Sequence, residues 1–216
     1  MELANLQSDA ERAAAGRSRV YQLLGQTFAF PDQDLHDAVR DGAVAAAVAD
    51  ACAALPYDMA VSISADLHAA PDAYADFESE YIRLFDVSAA DPPCPLYGSV
   101  YIGDRMKVME DATRFYNFFH LRLSPQMHEL PDHITTELEF LHYLTFRETE
   151  LRQQRQDPGS LLRAERDFLA LHLCKWVPRM QARLAKQECL SFFPALVRFA
   201  LAFFDADQQY TAAAVG

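Results

Sequence analysis

Apolar residues recur at every third or fourth position through nearly the whole chain, and prolines cut that pattern into pieces. A period near 3.6 places one apolar stripe along a helix; a strand would need alternation at every residue. Val20, Leu23, Leu24, Thr27 and Phe28 fall on one face of a first helix, which Pro31 ends. The stretch DLHDAVRDGAVAAAVADACAAL is alanine-rich and reads as helix up to Pro56. In PDAYADFESEYIRLF, Pro71 sits in a helix-start position, and Tyr74, Phe77, Tyr81, Leu84 and Phe85 follow at helical steps. RMKVMEDATRFYNFFHL resumes the period, and Pro125 and Pro131 frame a short loop. Further helices are expected over residues 133–155, over 160–186 with a kink at Pro178, and from a cap at Ser191 to about Phe204. The longest non-helical segment is DVSAADPPCPLYGSVY, where Pro92, Pro93 and Pro95 forbid a regular helix. No strand-like alternation persists, no repeat of solenoid period is present, and 7 glycines among 216 residues form no phosphate-binding loop. The expected fold is all-α: a single domain over residues 1–216, a bundle of about seven to nine helices, with a Pro-rich loop at 91–96.

Hydrophobic residues make up 51% of the chain, enough for a sizeable core, and the formal net charge is −12. With no Lys/Arg-rich block, a phosphate backbone is repelled, so nucleic acid is excluded as a partner and a basic peptide is favoured. Cys52, Cys94, Cys174 and Cys189 form no C-x-x-C pair and suit neither a zinc knuckle nor a disulfide framework. They read as reduced thiols of a cytosolic protein. The start, MELANLQSDAERAAAG, is acidic and polar and lacks the basic and apolar regions of a secretory signal. No apolar run approaches the ~18–20 residues that span a membrane. The expectation is a cytoplasmic protein without membrane insertion.

The stretch ELPDHITTELEFLHYL (129–144) holds the most suggestive constellation. Asp132 stands just before a helical pattern, where its carboxylate can accept a first-turn N–H. His133, at the first helical position, lies near the positive end of the helix dipole, which disfavours its protonation. Glu139-x-x-His142 has the spacing of a di-iron carboxylate motif, but that motif needs a second copy and none is present. His133 and Glu137 share a face, yet H-E-x-x-H is absent. His172 and Trp176, at i and i+4, place an imidazole beside the chain's one tryptophan, a packing arrangement. Ser99 has no evident base and lies in no G-x-S-x-G motif, so a nucleophilic triad is unsupported. Tyr97 and Tyr101 follow the Pro-rich loop, and Glu78, Glu80, Asp86 and Asp91 lie in the same region. A groove built there would suit a peptide that is basic at one end and apolar along its length.

Several segments together resemble one family. PDHITTELEFLHYL resembles the D-H-x-x-x-E-L-x-F signature of the TorD/DmsD/NarJ chaperones of molybdenum enzymes. RVYQLLGQTFAFPD, CPLYGSVY, VMEDATRFYNFFHL and FLALHLCKWVPRM follow the family's order, so the resemblance spans about residues 17–205. PCPLYGS and RFYNFF look closest to the delta-subunit chaperones that serve dimethyl sulfide and ethylbenzene dehydrogenases and selenate and chlorate reductases. The resemblance implies an all-helical cytoplasmic chaperone without catalysis. Its partner would be the twin-arginine signal peptide, or another apo segment, of a molybdoenzyme catalytic subunit. It would hold that subunit until a molybdopterin guanine dinucleotide is inserted. The cofactor would belong to the client, with none bound stably by the chaperone, which would be a monomer or dimer. The family's signal-peptide pair maps onto Asp132 and His133. Its tryptophan-containing loop maps onto Tyr97, Gly98 and Ser99, with Tyr in place of Trp, and Tyr101 follows. Tyr21, Leu84 and Phe85 are further groove candidates. A ferritin-like metal enzyme and a generic helical adaptor are the alternative readings of the bundle.

Overall fold

The computed structural model describes residues 6, 8–59, 65–88, 91–124 and 129–215; Pro125 and most of the first seven residues lie outside them. Among the described residues ten α-helical segments follow in order. They are α1 (Asp9–Phe28), α2 (Gln33–Arg40), α3 (Ala43–Ala53), α4 (Tyr74–Phe85), the one-turn α5 (Ser99–Ile102) and α6 (Arg105–Phe118), then α7 (Ile134–Gln153), α8 (Gly159–Leu171), α9 (Leu173–Leu184) and α10 (Phe192–Val215). Nine of them have eight residues or more. Among the described residues there is no β-strand, only an isolated bridge between Tyr97 and His133.

Local chemistry sets the ends. Ser8 accepts from the Glu11 N–H at 3.2 Å at the start of α1, and Asp32 accepts from Leu35 N–H at 2.8 Å at the start of α2. The alanine-rich run expected as one helix is two. Gly42 takes φ +79°, a left-handed conformation that ends α2 and opens α3. The run over 160–186 also divides, and not at Pro178. The break falls at His172 (φ −118°, ψ −99°), while Pro178 stays inside α9. The last helix runs on through an alanine-rich tail to Val215, well past Phe204.

The 20-residue helices α1 and α7 lie along each other and form the centre; α8, α9 and α10 pack around them. The predicted face of α1 (Val20, Leu23, Leu24, Thr27, Phe28) is buried. Phe77, Phe192, Phe193, Phe199, Phe203, Phe204 and Trp176 are all buried in one continuous core. Each such ring contributes on the order of 1.5–3 kcal/mol by leaving water.

One buried feature is ionic. Arg17, wholly inaccessible, bonds Glu148 from α7 at 2.6 Å, and also Glu165 from α8 and Asp207 from α10. Asp207 accepts from the Tyr21 hydroxyl and from Tyr57 at 2.8 Å, and Glu148 accepts from Arg152 at 2.7 Å. Charges taken out of water must be matched by partners in fixed geometry, so this cluster sets how the four helices register.

Candidate functional site

The prolines build the site by what they prevent. Pro92, Pro93 and Pro95 keep the chain extended after α4, and the Cys94 N–H bonds Leu84 carbonyl at 3.0 Å. Residues 96–98 then run beside the segment that enters α7. The Ile134 N–H donates to Leu96 carbonyl and the Gly98 N–H to Asp132 carbonyl, both at 2.9 Å. Five expected site residues, Tyr97, Gly98, Ser99, Asp132 and His133, are thereby brought together, although more than thirty positions separate the two segments.

Asp132 does not cap α7. It is wholly buried, and its Oδ2 accepts from the Ser99 N–H at 2.8 Å, capping the one-turn α5 from across the pairing. Its Oδ1 is buried without a partner. The cap of α7 is His133, one residue short of the expected helical position, with Nδ1 3.4 Å from the Thr135 N–H and 2.6 Å from Thr135 Oγ1. Burial lowers the proton affinity of His133, against the raising influence of Glu129 and Asp132. A neutral ring that accepts at Nδ1 carries its proton on Nε2, which faces Glu129 at 3.7 Å.

Glu129 is the carboxylate this edge presents. Its side chain is 41% exposed, and the Tyr97 hydroxyl donates to it at 2.7 Å. Burial, then the bond to Glu129, pushes the Tyr97 hydroxyl pKa up, so it remains a donor. The Tyr97 ring meets His133 edge-on at 4.8 Å. Glu129 lies outside the D-H-x-x-x-E-L-x-F signature that begins at Asp132. The only available signal was its i, i+4 spacing to His133, which Pro131 between them discounts.

Behind this edge lies a buried polar seam. A Cβ added to Gly98 would stand 3.0 Å from Trp176 Cδ1, so the loop rests directly on the indole. The Trp176 N–H donates to Glu137 at 2.9 Å, and His172 Nδ1 lies 3.2 Å from the other Glu137 oxygen. Burial raises the Glu137 pKa, and the bonds from His172 and Trp176 oppose it. His172 and Trp176 converge on one carboxylate and do not stack on each other. The imidazole stacks on Phe168 at 4.4 Å and the indole on Tyr101 at 5.5 Å.

The remaining candidates are structural in their contacts. Tyr101 is buried, donates to Pro95 carbonyl at 2.9 Å, and carries Arg183 over its ring at 4.6 Å. Tyr21 belongs to the Arg17 cluster, and Leu84 and Phe85 belong to the core. They are groove residues by resemblance only; here they face inward. His142 Nδ1 is 2.9 Å from Ser18 Oγ, whereas Glu139 is exposed. Among the described residues no group of three or more His, Cys, Asp or Glu could hold a metal ion. A cavity of about 290 Å³ opens beside the first turns of α7, walled by Tyr116, Leu123, Phe140 and Tyr143 with Glu139 among its lining residues. The buried Thr136 hydroxyl in it has no partner.

No helix among the described residues is long and apolar enough to cross a membrane.

Residues 40–182 match the family described as nitrate reductase delta subunit. The perchlorate reductase assembly chaperone protein of Dechloromonas aromatica is 32% identical over 197 residues, 88% of this chain and 87% of that one. The chlorate reductase assembly chaperone protein of Ideonella dechloratans is 34% identical over 113 residues, 51% of this chain and 58% of that one. The selenate reductase assembly chaperone protein of Thauera selenatis is 37% identical over 109 residues, 50% of this chain and 56% of that one.

Proposed function

The chain belongs to the nitrate reductase delta subunit family, which is the TorD/NarJ family of chaperones, and from that premise we propose that it is an assembly chaperone for a molybdopterin-dependent catalytic subunit. It binds the apo subunit through the twin-arginine leader in the cytoplasm and releases it for export once the cofactor is in place. It catalyses no reaction itself. The carrying observation is the edge formed where residues 96–98 pair with 132–134. There the half-exposed carboxylate of Glu129 is held by Tyr97 and faced by His133.

A guanidinium needs a carboxylate that is oriented but still reachable, and Glu129 meets both conditions. Asp132 holds the loop that orients Tyr97 instead of meeting the peptide. The apolar cavity beside α7 offers the hydrophobic stretch that follows the arginines a place to leave water. The net charge of −12 steers a basic leader toward the protein.

The test is calorimetry with a synthetic twin-arginine leader of a molybdopterin-dependent reductase catalytic subunit. Glu129→Gln keeps an acceptor for Tyr97 and removes the charge. It should weaken binding about tenfold, the effect of losing one charge-assisted hydrogen bond. Added salt should weaken wild-type binding, since exposed charges are screened over ~8–10 Å. A leader that gives no heat and does not compete with the apo subunit removes the leader from this reading.

A further inference from the structure

Helix α9 carries a charge pattern opposite to that of the molecule. From Leu173 to Gln187 the chain holds Lys175, Arg179, Arg183 and Lys186 and no Asp or Glu, although the net charge is −12. Leu173, Trp176, Val177, Met180 and Leu184 turn to the core, and the four basic residues are exposed. At ~100° and ~1.5 Å per residue they fall within an arc of about 80° along a rise of about 16 Å. Arg179, Arg183 and Lys186 follow the spacing i, i+4, i+7. Pro178, Ala182 and Ala185, also exposed, lie beside them and offer only short side chains.

Among the described residues none of the four forms an ion pair, whereas Arg83, Arg114, Arg147, Arg152 and Arg166 each meet a carboxylate. Lys175, at one end of the row, shares the wall of a cavity with Asp104 and Asp111, so the unmatched charge centres on Arg179, Arg183 and Lys186. Like charges at this spacing repel. The helix dipole compensates Arg183 and Lys186 near the C-terminal end and leaves Arg179, in mid-helix, uncompensated. The two guanidiniums are nonetheless fixed. Arg179 Nη1 donates to Tyr101 carbonyl at 2.6 Å, and Arg183 lies over the Tyr101 ring at 4.6 Å. Each keeps further N–H donors. A row held in place from behind loses little freedom when a partner arrives.

We propose that this face of α9 docks an acidic helical segment of a partner polypeptide, whose carboxylates at i, i+4 and i+7 meet Arg179, Arg183 and Lys186. A guanidinium matches a carboxylate with two parallel N–H···O bonds, and two of the three cations are arginines. The short side chains of Pro178, Ala182 and Ala185 let a second helix approach closely. An extended polyanion fits worse. The row is one helix wide, and its field is screened within ~8–10 Å. A lipid plane or a nucleic-acid duplex would therefore bring its phosphates against the acidic remainder of the molecule. The inference stands apart from the chaperone reading and uses no residue of the Glu129 edge.

The test uses the full chain and a fluorescent, alanine-based helical peptide bearing Glu at i, i+4 and i+7, with its Gln counterpart as the control, followed by anisotropy at low ionic strength. The Glu peptide should bind and the Gln peptide should not. Arg183→Gln and Lys186→Gln should each weaken binding about threefold, within the range of one exposed charge pair, and the double variant about tenfold. Arg19→Gln makes the same charge change at an exposed position of α1 and should bind as wild type, as should Glu129→Gln. Equal binding of the two peptides, a loss with Arg19→Gln as large as with Arg183→Gln, or undiminished binding by Arg183→Gln/Lys186→Gln each overturns the site. Tighter binding to phosphatidylglycerol vesicles or to a DNA duplex than to the Glu peptide overturns the choice of partner.

Discussion

Asp132 shows how a residue can be found for one reason and serve another. Its place before a helix predicts a cap of α7, but its carboxylate reaches across to Ser99 and caps the one-turn α5. The substitutions separate accordingly. Asp132→Asn keeps an acceptor for the Ser99 N–H and should leave thermal stability nearly unchanged. Asp132→Ala leaves that N–H without its acceptor and should cost ~1–3 kcal/mol in chemical denaturation. Gly98→Ala adds a Cβ at 3.0 Å from the indole and should cost ~1–3 kcal/mol by overpacking, with the near-ultraviolet signal of Trp176 altered. Sequence pattern could nominate Gly98 through its family loop, but the indole it rests on comes from α9 and is seventy-eight residues away.

Helix boundaries follow local chemistry where a cap or proline is strong and tertiary contacts where it is weak. Ser8 and Asp32 open α1 and α2 as their side chains dictate. The break between α8 and α9 is different: Pro178, the strongest helix breaker in the run, is accommodated, and His172 is not. At His172, where the helix breaks, Nδ1 meets the buried Glu137 of α7, a contact that helical periodicity does not encode. Trp176 supplies the second donor to the same carboxylate. Trp176→Phe fills most of the volume but leaves one Glu137 oxygen without its donor. It should destabilise by ~1–3 kcal/mol, measured by urea denaturation. Trp176→Ala should cost ~3–5 kcal/mol because the whole buried ring is lost.

Across the whole molecule the Arg17 cluster makes stability depend on pH. Burial pushes the Glu165 carboxyl up to about 8 from a usual 4.5; Glu148 and Asp207 add to the rise, and Arg17 opposes it. The folded state thus holds a proton that the unfolded chain releases above the usual carboxylate value. The corresponding stability is full below about 4.5 and is lost as pH rises through about 8. Chemical denaturation should show stability contributed by this group falling across that window, and Glu165→Gln, which mimics the protonated carboxyl, should flatten the fall. His133 works in the opposite sense. Its lowered folded pKa removes stability as pH drops below the ordinary histidine value of 6.5. A double comparison of Glu165→Gln and His133→Gln over pH separates the two contributions.

The sequence by itself determined the helical class, the first-helix core face, the Pro-rich interruption and the family to which Asp132 and His133 belong, because periodicity, prolines and short motifs are local properties. Tertiary structure decided which carboxylate reaches solvent. Glu129 became the accessible acid and Asp132 the buried one only when the 96–98 and 132–134 segments paired. It likewise turned Tyr21, Leu84 and Phe85 inward, and gathered Arg17, Glu148, Glu165 and Asp207 from four helices into one cluster. Burial and charge pairing depend on what packs against a residue, and residues far apart in the chain carry no mark of becoming neighbours until the helices have closed on one another.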